Sequence, residues 1–358
     1  VTRTLATLVL ALAASAAPAH ADRTRYSRRQ AQRSLTQAEQ PGLVIGELAL
    51  TAVVDGDTIK VAGLDSSLRL IGIDTEETFK READRRGADA GLDEYRSAKR
   101  GESARPVKMA TPMGEAAKAF AKRFFDGVDR VKLERDHPAE IRDRYGRYLA
   151  YVLVERGGRW LNYNVECVRA GMAPYFPKYG NSRRFHAAFV AAEAEARRAQ
   201  RGIWAPGAPG YTDYAEREAW WQARAAFIDA FRKEAEGQPD HIDLTHWDAL
   251  AQLEARAGTP VVVLGIVGDV RPSERGPSKV TLSRRLGSDF PLIFFDRAVL
   301  AASGIATWKG EPVVVTGVPT VYEHPRTHDR QLQIVIDRAS QVRLSPVPGL
   351  TPPAPPAP

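Results

Sequence analysis

Three carboxylates and one guanidinium between residues 57 and 77 could do chemistry together. Asp57, Asp74 and Glu77 supply the carboxylates, and Arg69 lies on the strand-like run between them. Carboxylate oxygens suit a hard cation such as Ca²⁺. A planar guanidinium beside them can grip a phosphate with two parallel hydrogen bonds, which points the group towards phosphate esters. The same residues also read as a tight turn with acidic tips, because Asp55-Gly56 between two β-rich runs is a strong hairpin signal. Strand alternation separates Arg69 and Asp74 onto opposite faces. Their convergence therefore needs a bend at the strand end.

Three stretches extend the pattern: V-V-D-G-D-T at 53–58, R-L-I-G-I-D-T-x-E at 69–77, and D-R-Y-G-R-Y-L-A-Y-V at 143–152. In this order and spacing they resemble the thermonuclease (staphylococcal-nuclease-like) family over about residues 46–205. The resemblance implies Ca²⁺ held by Asp57 and Asp74 with the backbone carbonyl of Thr75. It implies that Glu77 accepts a proton from the attacking water, and that Arg69 and Arg147 neutralise the charge that develops on the phosphorus. Arg144 and Tyr145 correspond to residues beside the base pocket, where an aromatic ring stacks on any base. Asp55 and Asp143 read as turn and support residues. The implied reaction is hydrolysis of phosphodiester bonds in DNA and RNA, broken on the 5′-oxygen side to leave 3′-phosphates. One position departs from the family, which usually has proline where this chain has Glu76. That carboxylate could strengthen metal binding, compete with Glu77, or point to solvent.

The elements that must position these groups are β-rich first and helical later. Strands are expected at 47–55, 57–63, 67–73, 130–136 and 147–155, with helices at 114–126, 160–172 and 183–199. In the first helix Ala117, Phe120, Ala121 and Phe124 recur at helical spacing and give one apolar face. Five strands with a helix between the third and fourth outline an OB-type barrel, mainly β with helices and so α+β in class. Residues 79–112 interrupt this pattern with a polar, glycine-punctuated stretch that leaves the barrel directly after Glu77. It reads as a loop, either a flap facing the substrate or an inert insertion.

The chain has 358 residues and a net charge of +7, which suits a polyanionic partner, and its single cysteine, Cys167, excludes an internal disulfide framework. Residues 1–21 read as an export signal: Arg3, then an apolar run, then Ala19-His20-Ala21. The mature protein is expected to be secreted or periplasmic, with no membrane attachment once the signal is cleaved and no obligate protein partner. Residues 22–45 carry five arginines and read as a flexible basic arm.

Residues 206–258 carry a net charge of −5 and two helical patterns, about 212–236 and 245–257. They read as a helical linker that nucleic acid avoids. Residues 259–345 repeat the strand–strand–strand–helix–strand outline of an OB-fold at net +3, with Arg271, Arg284 and Arg285 as candidate contacts for single-stranded nucleic acid. Residues 346–358 form a proline-rich tail.

His324 and His328 flank Pro325 and read as loop residues rather than a metal pair, and Cys167 reads as a buried small hydrophobe. No GxGxxG or Walker-type loop is present. The alternative to a nuclease is a non-catalytic nucleic-acid-binding protein with two OB-type barrels, or a scaffold whose β regions bind other ligands.

Overall fold

Alternation of apolar residues shapes the first sheet. In β2 (Thr58–Val61) Ile59 and Val61 are buried while Lys60 is exposed, and in β4 (Arg130–Glu134) Val131 and Leu133 point into the core. A computed structural model describes residues 40–283 and 289–350. The export signal, the basic arm up to residue 39, Arg284, Arg285 and the tail from 351 lie outside the described residues. No helix among the described residues is long and apolar enough to cross a membrane.

The first sheet is built from β1 (Val44–Asp55), β2, β3 (Leu68–Leu70), β4 and β5 (Tyr148–Arg156), with β6 (Arg159–Asn162) paired to β5. Its order is β2-β1-β4-β5-β3, and β3 runs parallel to β5 while the other pairs are antiparallel. Helix α3 (Pro112–Phe124) starts at the Thr111 cap, whose side chain accepts from Gly114 N–H. Helices α4 (Tyr163–Arg169) and α5 (His186–Arg198) follow the sheet. Tyr148, Val152, Val168, Phe189 and their neighbours form one continuous core with the strands.

The second sheet repeats the plan. Its strands are β8 (Val261–Arg271), β9 (Ser278–Ser283), β10 (Phe290–Phe294), β11 (Pro312–Gly317), β12 (Pro319–Glu323), β13 (Arg330–Val335) and β14 (Val342–Leu344). Their order is β12-β13-β10-β9-β8-β11-β14, with helix α8 (Arg297–Ser303) between the third and fourth strands and β13 parallel to β10. Both regions are α+β with OB-like topology. Neither ladder is closed as a barrel. In the first, the short β2 and β3 meet through Leu70 N–H to the Asp57 carbonyl at 3.4 Å. In the second, β11 and β12 are successive pieces of one path broken at Val318, where Pro319 has no N–H to offer.

Two expectations need correction. Residues 79–112 are not a structureless loop but carry α1 (Glu82–Ala90) and α2 (Leu92–Arg100). Ala88, Leu92 and Tyr95 pack with Phe79, Val107, Met109 and Tyr211, so the polar stretch has a small core completed from distant residues. Between the sheets, α6 (Tyr214–Glu234) and α7 (Ala249–Ala255) form as helices, but β7 (His241–Asp243) was not foreseen and adds a parallel strand to β8. Helix α6 buries Ile228 and Phe231 against Leu264 and Val314 of the second sheet. Its Trp221 meets Phe176 edge-on at 4.8 Å.

Candidate nuclease site

The site begins at the turn between β1 and β2. Asp55 accepts from Gly56 N–H at 3.0 Å and from the Thr78 hydroxyl at 3.1 Å, so it is a support residue as expected. Burial raises its pKa. The turn packs so closely on Thr75 and Ala117 that a Cβ at Gly56 would lie 2.7–2.8 Å from them, which only glycine avoids. Tyr163 donates to the Gly56 carbonyl at 2.6 Å and ties the turn to α4.

The bend that strand alternation demanded lies directly after β3. That strand ends at Leu70, and Gly72 turns the chain at φ +77°. A Cβ there would enter the Phe189 ring, 2.6 Å away. Asn164 fixes the approach by donating to the Ile71 carbonyl at 2.8 Å. Asp74 therefore returns to the side of Arg69. The guanidinium bridges the two carboxylates: Nη1 to Asp57 Oδ2 and Nη2 to Asp74 Oδ1, both 2.5 Å. Phe176 lies under it, with its centroid 5.7 Å from Cζ.

A second cation reaches the same carboxylate. Lys108 Nζ is 2.6 Å from Asp74 Oδ1 and 3.9 Å from Glu77 Oε1. Burial works to raise the Asp74 pKa, but Lys108 and then Arg69 overcome it and hold that carboxyl at about 2. Glu77 is open to solvent at one edge, where Lys80 approaches Oε2 at 3.3 Å.

Glu76 does none of the three things considered for it. It is 1% exposed and turned away from Glu77. Its carboxylate accepts from the Thr111 hydroxyl, from Tyr211 N–H at 2.8 Å and from the Tyr214 hydroxyl at 2.7 Å. Burial pushes its pKa up against those hydrogen bonds. The carboxylate fastens the start of α3 and the start of α6 to the loop that carries Asp74 and Glu77.

Arg147 comes from the start of β5, two residues before Leu149, the partner of Arg69 in the parallel ladder. Asp143 grips its Nε at 2.7 Å and Nη2 at 2.6 Å, which makes Asp143 the support residue the sequence suggested. Tyr145 is 66% exposed, and the guanidiniums of Arg144 and Arg147 lie 5.4 and 5.6 Å from its ring centre. An exposed aromatic ring with two guanidiniums over it is thus present on the surface.

Comparison with known proteins agrees with this geometry. The family described as Staphylococcal nuclease homologue matches residues 67–206. A thermonuclease of Staphylococcus intermedius is 32% identical over 159 residues, 42% of this chain and 72% of that protein. The chain belongs to the staphylococcal-nuclease-like family. A thermonuclease of Staphylococcus hyicus is 31% identical over 160 residues, again 42% of this chain and 72% of that protein. The endonuclease YhcR of Bacillus subtilis is 29% identical over 156 residues, 42% of this chain but 11% of its own length.

Within this nuclease-family site, the donor set fits a hard divalent cation. Asp57 and Asp74 offer carboxylate oxygens close enough for one guanidinium to span, and Thr75, 4% exposed, lies beside them. Arg69 and Lys108 are the cations these carboxylates hold. His137, Glu140 and His246 also approach one another within 4.8 Å. There the imidazoles stack at 4.6 Å and 10°, and Glu140 already pairs with Arg232 at 3.1 Å, so their geometry favours packing over ligation.

Sequence reasoning missed Lys108, Phe176 and the half-buried Lys178. Lys178 sits 4.1 Å from the Trp220 ring centre, and burial followed by Arg224 lowers its pKa to about 7. No local pattern marks any of the three. His324 and His328 lie in the β12–β13 loop, with His328 Nδ1 2.9 Å from Glu323 Oε1. Cys167 is fully buried, and burial lifts its thiol to about 12.

Proposed function

We propose that this protein is a Ca²⁺-dependent nuclease that hydrolyses phosphodiester bonds of DNA and RNA with little sequence preference and leaves 3′-phosphates. The observation that carries the reading is Arg69 bridging Asp57 and Asp74 while Glu77, three residues on, keeps an edge open to solvent. The thermonuclease relatives support it.

Asp57, Asp74 and the Thr75 carbonyl would hold the cation, which supplies Lewis-acid polarisation of a phosphoryl oxygen. Glu77 takes the proton from water as the water oxygen bonds to phosphorus; the bond to the 5′-oxygen breaks, and that oxygen leaves with the electron pair and takes a proton from solvent to become the 5′-hydroxyl. Arg69 shares its guanidinium between the carboxylates and the phosphate. Asp143 fixes one edge of Arg147, so that cation meets the phosphate without first losing its orientation. Tyr145 offers a face on which any base can stack. The region at 46–205 carries this chemistry, the helical linker at 206–258 joins it to the β region at 259–345, and the first 21 residues direct export.

Release of acid-soluble nucleotides from DNA and from RNA, with Ca²⁺ and with chelator, tests the reading. Cleavage of both polymers that stops in chelator is expected. Undiminished cleavage in chelator overturns the metal dependence. Oligonucleotide binding without cleavage under all conditions would favour the two-barrel binding protein.

A further inference from the structure

Lys108 arrives at the carboxylates from outside their own strands, and its backbone is fastened on every side. Thr111 N–H donates to the Glu77 carbonyl at 3.0 Å, and Glu77 N–H to the Met109 carbonyl at 3.4 Å. The Tyr211 hydroxyl meets both Met109 N (3.0 Å) and Met109 O (2.8 Å), and Arg217 Nη2 donates to the Val107 carbonyl at 2.6 Å. Arg105 pairs with the buried Glu311 of the second region. The residues on both sides of Lys108 are thus held, while its own side chain is 49% exposed.

We propose that Lys108 is a built-in counter-cation that exchanges with the divalent metal at Asp74 and, once displaced, is presented to the substrate phosphate. This rests on the reading of Asp57, Asp74 and Thr75 as the metal site. Asp57, Asp74 and Glu77 face three cations, Arg69 and Lys108 at Asp74 and Lys80 at the outer edge of Glu77. A divalent ion at Asp74 meets Lys108 as a like charge competing for the same oxygen. Asp74 Oδ1 serves both cations, but Arg69 is also held by Asp57 and lies over Phe176, whereas Lys108 is half exposed on a flexible stem. The ammonium is therefore the group that yields. Its anchored backbone keeps it within a side-chain length of the loaded site, so metal entry frees a phosphate-binding cation. Arg217 of α6, Tyr211 just before that helix and Glu311 just before β11 thus set the metal affinity of the first region.

The test is calorimetric titration of the full chain with Ca²⁺ in the absence of nucleic acid, in wild type, Lys108→Met and Lys108→Arg. The methionine variant keeps the stem, and loss of a competing charge at this range should tighten Ca²⁺ about tenfold. The arginine variant should stay within about twofold of wild type. In a Glu77→Gln background, which stops turnover, Lys108→Met should weaken binding of a short single-stranded oligonucleotide with Ca²⁺ present and leave it unchanged in chelator. Equal Ca²⁺ affinity in wild type and Lys108→Met, or the same tightening in both variants, overturns the exchange. Absence of Ca²⁺ binding in every protein overturns instead the metal reading beneath it.

Discussion

Two of the arginine-gripped carboxylates among the described residues, Glu311 and Asp74, differ in what they leave open. Around Glu311, Arg224, Arg105 and Trp220 Nε1 converge on a side chain that is fully buried, and the Arg224 side chain is buried with it. Around Asp74, Arg69 and Lys108 converge, but Lys108 is half exposed and Glu77 beside it is open at an edge. The first cluster is closed by the fold and cannot exchange a partner without unfolding its surroundings. The second keeps one half-exposed cation and one accessible carboxylate. Ion pairing alone does not mark a site. Exchangeability does.

Breaking the open cluster should affect rate, and breaking the closed one should affect stability. The largest effect expected is on turnover: Glu77→Gln should lose about 10³-fold or more, with nucleic-acid binding retained, because the proton acceptor goes while docking charges stay. Steady-state rates together with an oligonucleotide binding assay decide it, and near wild-type turnover removes Glu77 from the mechanism. At the closed cluster, Glu311→Ala leaves Arg224 buried without its carboxylate and should cost about 3–5 kcal/mol in chemical denaturation. A cost under about 1 kcal/mol would mean water enters the junction. The same contact warns against cutting the chain near Ala257 to isolate the first region, since that cut removes Glu311 from Arg224 and Arg105.

The neighbouring glutamates give a sharper contrast within one loop. Glu76→Ala leaves the Tyr214 hydroxyl, the Thr111 hydroxyl and Tyr211 N–H without their acceptor and should destabilise by about 1–3 kcal/mol. Glu77→Ala should change stability by no more than about 0.5 kcal/mol. Equal unfolding midpoints for the two variants would contradict the division of labour.

The smallest effect expected is a pH dependence. Burial, then His246, Arg183 and Arg232, lower the pKa of His137 to about 4. Its neutral form is favoured in the fold, so its contribution is fully present above the ordinary histidine value of about 6.5. Stability should then fall as pH drops from about 6.5 towards 4. The difference between wild type and His137→Asn across that range isolates the term, and parallel curves would refute it.

Short-range rules made part of this protein legible in its sequence. Turn chemistry located the Asp55–Thr58 hairpin, apolar alternation located β2 and β4, and the spacing from Arg69 to Glu77 marked the carboxylates. Asp143 also took the supporting place its local context suggested. What the sequence could not contain was the choice of distant partners. The polar stretch after Glu77 folds because Tyr211, more than a hundred residues away, covers Tyr95 and Met109. Glu76 is a buried anchor rather than a ligand because α6 brings Tyr211 and Tyr214 over it. Lys108 reaches Asp74 because Arg217 and Glu311 hold its segment in place. Propensity and periodicity act over a few residues, whereas burial and charge pairing depend on which remote surface arrives. The carboxylates and Arg69 were therefore readable along the chain, and Lys108 only in three dimensions.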